Sequence, residues 1–100
     1  MLHTVNKSPF EKNSLDTCLR LSQPGSHVLL IEDGIYGALK GTSIEAQVRK
    51  CIQDRQFCVL GPDLKARGVD HARLIEGIEV VGYDKFVELA VHCDKVQTWL

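Results

Sequence analysis

Four runs of mostly apolar residues have the length of β-strands and fall at residues 2–6, 27–32, 56–60 and 78–81. The run at 27–32 does not alternate with polar residues, as expected of a strand covered on both faces. Between the runs, apolar residues recur at helical spacing, as at Ile44, Val48, Cys51 and Ile52. This alternation predicts an α/β fold: one three-layer domain over residues 1–100 with a mainly parallel sheet of four to five strands.

Residues that favour helix starts precede several of the predicted helices. Ser8 and Asn13 offer two starts for the first helix, so we expect it to begin as two short pieces. Thr42 and Glu45 have the spacing of a capping box, in which each side chain bonds to the backbone of the other residue. Asp84 is expected to cap a last helix of about ten residues.

The last predicted helix is apolar around too much of its circumference for a helix packed on one side. At 100° per residue its apolar side chains cover about 200°, where a stripe of about 100° suffices. They are Phe86, Val87, Leu89, Ala90, Val91 and Cys93. Either the helix is held between two elements, or its second face meets another chain. The apolar tail at 96–100 is expected to add a short strand or to dock on a partner.

Composition and charge exclude several classes of protein. Hydrophobic residues make up 44% of the chain and charged residues 25%, which excludes a disordered protein. The net charge of −1 argues against a nucleic-acid-binding surface. No apolar run is long enough to span a membrane and no signal peptide is visible, so we expect a cytoplasmic protein.

The chain contains four cysteines, and their spacing favours neither zinc nor disulfides. No two are close enough in sequence for the paired ligands of a structural zinc site, and a reducing compartment disfavours disulfides. At least three are expected to be core residues. A reactive thiol needs a helix N-terminus or a nearby cation, and Cys18 has neither in its local sequence. The four residues are Cys18, Cys51, Cys58 and Cys93.

Charged residues follow the predicted strands at the edge of the sheet where ligands bind in open α/β folds. Asp33 and Asp63 are either paired carboxylates or, as is commoner, residues that cap helices and form turns. Lys7, Lys65 and Arg67 are either a small anion site or a solvated face, and the balanced charge favours the solvated face.

Several short motifs extend along the chain in a characteristic order, namely Leu2-His3-Thr4, Ser8-Pro9-Phe10, Asp33-Gly34 and Asp63-Leu64-x-Ala66-Arg67-Gly68. In this order they resemble the DsrH/TusB family of sulfur-relay proteins, and the resemblance covers essentially the whole chain. It is strongest to the DsrH branch, because the sequences at residues 2–11, 61–68 and 96–100 resemble those of that branch at nearly every position.

The resemblance implies a cytoplasmic subunit of a heterohexamer that contains two copies each of this chain, a DsrE-like partner and a DsrF-like partner. In the DsrH branch the complex serves oxidative sulfur metabolism and passes persulfide sulfur toward a DsrC-like acceptor. The TusB branch serves 2-thiouridine formation in tRNA. In both branches the principal sulfur-carrying cysteine lies on the DsrE-like partner. Sulfur exchange between thiols needs no metal or organic cofactor. The balanced charge and the short apolar runs predict no direct contact with nucleic acid or membrane.

Cys18 matches a cysteine that DsrH-type chains carry in their first helix and that TusB-type chains generally lack. The resemblance therefore makes Cys18 the one candidate catalytic residue, as an accessory sulfur carrier. The chemistry needs only cysteine, because a thiolate can take the outer sulfur of a persulfide and yield it to another thiolate. Two functions stay open: a sulfurtransferase-complex subunit that carries sulfur on Cys18, and a structural docking subunit whose cysteines are inert.

Overall fold

Five parallel strands form one sheet in the computed structural model, which describes all 100 residues. They are β1 (Leu2–Val5), β2 (His27–Leu30), β3 (Gln56–Leu60), β4 (Glu79–Val81) and β5 (Val96–Trp99). Their order across the sheet is β4-β3-β2-β1-β5, and every neighbouring pair is parallel. The predicted α/β fold with a mainly parallel sheet is confirmed, and the apolar tail adds the fifth strand.

Four α-helices and two 3-10 helices connect the strands. The α-helices are α1 (Ser14–Leu21), α2 (Glu45–Ile52), α3 (Gly61–Ala66) and α4 (Tyr83–His92). The 3-10 helices are Glu32–Ala38 and His71–Arg73. None of these helices is long and apolar enough to cross a membrane.

The starts of three helices differ from the prediction. Ser8 does not begin a helix: its hydroxyl accepts the Phe10 N–H and closes one turn, and α1 begins only at Ser14. Glu45 does not complete a capping box with Thr42, because its carboxylate accepts the Gly41 N–H instead. The cap of α4 is Gly82, which places Asp84 inside the first turn. There its negative charge still interacts favourably with the positive end of the helix dipole.

The sheet separates two apolar clusters of unequal size. The larger contains 18 buried residues, including Leu15, Val48 and Leu64 from α1, α2 and α3. The smaller contains six buried residues, among them Leu29 and Leu89, and α4 alone covers it. A ten-residue helix is only about 15 Å long, so the α4 side of the sheet is thinly covered.

Candidate functional site

Cys18, the predicted sulfur carrier, lies inside the larger apolar cluster. α1 directs its side chain toward the sheet together with Leu15 and Leu19, and 0% of Cys18 is exposed. Burial raises the pKa of the Cys18 thiol to about 12. In this chain the thiol is therefore both protonated at neutral pH and closed to other molecules.

One cation acts on Cys18, but it is engaged elsewhere. The Arg55 charge lowers the pKa of Cys18, although by less than burial raises it. The Nη2 atom of Arg55 donates a hydrogen bond to the Ser22 carbonyl at 2.9 Å, and Nη1 lies 3.6 Å from the Asp54 carboxylate. Arg55 thus satisfies the C-terminal end of α1 rather than the thiol. The sequence around Cys18 could not reveal this nearby cation, because Arg55 follows α2, a different helix.

Cys93, rather than Cys18, is the most accessible of the four thiols. All four cysteines are free, and Cys51 and Cys58 are buried while Cys93 is only partly so. Burial raises the pKa of the Cys58 thiol to about 11, and the nearby Glu79 charge adds to the effect. Three cysteines are core residues, as predicted, but Cys18 is one of them and Cys93 is the exception.

The second apolar face of α4 has no covering element. Tyr83, Val87 and Val91 are 59%, 61% and 72% exposed, and their spacing of four residues aligns them along one side of the helix. We call these three residues the α4 stripe. Phe86 and Leu89 pack against the smaller apolar cluster instead. The interpretation that α4 is held between two elements of this chain is therefore wrong. Tyr83 was missed because the helix was expected to start after it.

The strand β5 forms one edge of the sheet and is tied down by its aromatic residue. Burial lowers the pKa of His3, so the imidazole is neutral at pH 7, and its Nδ1 accepts the Trp99 indole N–H at 3.1 Å. The Ser14 hydroxyl donates to the carbonyl of Leu100 at 2.8 Å. These two bonds connect the tail to β1 and α1.

The family model described as DsrH like protein matches residues 7–96. The chain belongs to the DsrH/TusB family of sulfur-relay proteins. Among its relatives, Protein TusB of Erwinia tasmaniensis is 40% identical over 100 residues, and Protein TusB of Pectobacterium parmentieri is 33% identical over 100 residues. Each alignment covers 99% of this chain and 100% of the relative.

Solved structures show the same fold as this DsrH/TusB chain. The ychN protein of E. coli superimposes with a TM-score of 0.83 at 21% identity, covering 97% of both chains. A protein of unknown function from Methanobacterium thermoautotrophicum superimposes with a TM-score of 0.76 at 18% identity, covering 97% of this chain and 96% of that one. At these identities the comparison establishes the fold alone.

Asp33, Asp63 and Arg67 of this DsrH/TusB chain meet at the carboxyl edge of the sheet. Asp63 accepts the Glu32 N–H at 2.6 Å and holds Glu32 in a left-handed conformation, with φ of 50°. Arg67 donates from Nε to Asp33 at 2.9 Å, and its Nη1 lies 3.8 Å from Asp63. The turn interpretation therefore describes Asp63, which bonds to a backbone N–H, whereas Asp33 bonds to the Arg67 side chain. Arg67 is occupied by these carboxylates, so it does not form an anion site with Lys65 and Lys7.

Proposed function

We propose that this chain is a docking subunit of a cytoplasmic persulfide relay complex, with the principal sulfur-carrying cysteine on a DsrE-like partner. Membership of the sulfur-relay family over the whole chain supports the relay. The observation that carries the docking role is the complete burial of Cys18. A thiol that exchanges sulfur must be accessible and in its thiolate form, and Cys18 is neither.

The partners in this proposal are a DsrE-like and a DsrF-like subunit, in a heterohexamer with two copies of each chain. The support is the family resemblance together with the uncovered α4 stripe, which gives this chain an apolar surface to bury. Contiguous apolar patches larger than a few hundred Å² are rare on monomeric proteins and often mark interaction surfaces.

For the acceptor we propose a DsrC-like protein of oxidative sulfur metabolism. The sequences at residues 2–11 and 61–68 resemble those of the DsrH branch, and Cys18 matches the cysteine that DsrH-type chains carry in their first helix. The alternative is 2-thiouridine formation in tRNA, favoured by the similarity to curated proteins named TusB. Offering the loaded complex a DsrC-like protein distinguishes the two, since oxidative sulfur metabolism predicts transfer of the sulfur to it and the tRNA pathway predicts none.

A second candidate role is that of accessory sulfur carrier on Cys18. It is supported by the match of Cys18 to the family position and by the Arg55 charge, which favours the Cys18 thiolate. For Cys18 to act, α1 has to move away from the sheet when the complex assembles, exposing the sulfur and separating it from the surrounding aliphatic side chains.

Substituting serine for Cys18 separates the two roles. In the docking role, the complex that contains Cys18→Ser assembles and transfers sulfur within about twofold of the wild-type rate, because no sulfur passes through this position. Transfer is measured as the rate at which the acceptor gains a persulfide from the loaded complex. In the carrier role, the variant slows transfer about tenfold or more although the complex is intact.

Cys58→Ser is the matched control for this substitution. It also places a hydroxyl in an apolar core, and burying a hydroxyl without a partner costs about 1–3 kcal/mol. Equal behaviour of the two serine variants supports the docking role, and a loss confined to Cys18→Ser refutes it.

A further inference from the structure

We propose that the α4 stripe and the free edge of β5 together form the docking surface of this chain, and that its occupant is a different subunit that presents apolar side chains bordered by lysine or arginine. The inference rests on the proposed function, which supplies the complex, and adds to it the surface and the chemistry of the partner.

The stripe and the edge strand belong to the same side of the sheet. Val96 pairs in register with Leu2, which packs in the smaller apolar cluster beneath α4. Side chains in register point to the same face, so Val96 faces the α4 side. About half of Val96 is exposed, so the α4 side of the sheet carries exposed apolar surface on β5 as well as on the α4 stripe.

The chain path turns the stripe toward β5. The connection from β4 through α4 crosses the sheet to its opposite edge, and connections between parallel strands are right-handed in nearly all proteins. With Phe86 and Leu89 directed at the sheet, this handedness turns the side that carries Val87 toward β5 and not toward β4. In this arrangement the side of α4 that carries Val87 and the exposed face of β5 border the same apolar depression.

The free edge of β5 can also take part in binding. β5 pairs only with β1, which leaves the outward backbone groups of Val96 and Thr98 without a strand partner. The carbonyl of Thr98 receives only a long side-chain bond from Gln97, at 3.4 Å. No proline interrupts β5, so nothing in its sequence prevents pairing with another chain.

Charge indicates which kind of chain covers this surface. Asp84 and Glu88 each follow a stripe residue by one position, about 100° around the helix, and so form an acidic border along the outer side of the stripe. Lys85, three positions before Glu88 and therefore next to it on the helix surface, lies 3.7 Å from Glu88 and offsets part of its charge, whereas Asp84 has no such ion pair. Apolar side chains bordered by lysine or arginine complement this pattern.

A second copy of this chain fits the surface poorly. If two copies paired their stripes antiparallel about a two-fold axis at Val87, Glu88 of one copy would lie beside Glu88 of the other. Like charges set against each other at an interface cost binding energy. The charge pattern therefore favours a different subunit.

The experiment uses the full chain coexpressed with its DsrE-like and DsrF-like subunits and measures capture of both by affinity purification. Val87→Asp should reduce capture at least about tenfold, because it places a charge in the centre of the stripe. Glu88→Lys should also reduce capture, and more strongly at low salt, where charge repulsion is least screened.

Leu21→Asp is the matched control, since Leu21 is an equally exposed helix residue (63%) on α1, across the sheet from α4. It should leave capture within about twofold of wild type. Thermal unfolding of each variant alone verifies that the substitutions leave the fold intact.

The possible outcomes separate this inference from the proposed function. If the wild-type chain captures both subunits and Val87→Asp does so equally well, the inference is overturned and the proposed function stands. If the wild-type chain captures neither, both are overturned. A stable wild-type dimer that Val87→Asp dissociates would assign the surface to a second copy and overturn the choice of partner.

Discussion

Native Cys18 is expected to react with iodoacetamide at pH 8 at least about a thousandfold more slowly than the same cysteine in the urea-unfolded chain. A pKa of about 12 leaves about one thiol in 10,000 ionised at pH 8, whereas an unfolded cysteine is ionised to about a quarter. Only the thiolate is alkylated, and burial blocks the approach of the reagent as well. Mass spectrometry of proteolytic peptides after timed labelling gives the rate at each cysteine.

Cys93 provides the internal control in the same experiment. It is the most accessible of the four thiols and should be labelled first. Labelling of Cys18 as fast as Cys93 would show that α1 opens readily in the isolated chain, which would remove the main physical objection to a carrier role.

Replacing Gly34 with alanine is expected to lower the free energy of unfolding by about 3 kcal/mol or more. A β-carbon at Gly34 would lie 2.1 Å from the carbonyl oxygen of Val5 and 2.9 Å from its carbonyl carbon. Both contacts are with backbone atoms of β1, so the clash cannot be relieved by rotating a side chain. Urea unfolding followed by circular dichroism measures the difference.

Gly82→Ala is the control for this prediction. Its β-carbon would meet no atom within 4 Å, and its φ of −97° suits any residue. The control should change the free energy of unfolding by less than about 1 kcal/mol. Equal effects of the two substitutions would contradict the packing described for Gly34, and with it the structural reason for the Asp33-Gly34 motif.

The strands were predictable because each is a local apolar run. Residues 56–60 were predicted as a strand to the residue, and the alternation with helical segments was enough to give a parallel sheet. Helix starts were less predictable, because several polar residues compete for the same backbone N–H groups. Glu45 shows this competition: its carboxylate bonds to Gly41, a residue outside the expected box.

The candidate site was only half predictable, for a physical reason. Exposure of Val87 and Val91 follows from counting apolar positions around one helix, which the sequence permits. The state of Cys18 depends on the sheet beneath α1 and on Arg55, which is distant in sequence. Desolvation and charge at a thiol are set by tertiary contacts, so the resemblance identified the residue while the fold determined its protonation.

The central claim is that this chain takes part in the relay without carrying sulfur, and intact-complex labelling tests it most directly. The assembled complex is incubated with a persulfide donor and its free thiols are blocked. Mass spectrometry then gives the mass of each cysteine-containing peptide. The account predicts that the DsrE-like partner's cysteine gains the mass of one sulfur atom while Cys18 gains none. A sulfur adduct on Cys18 that disappears when the acceptor is added would contradict it.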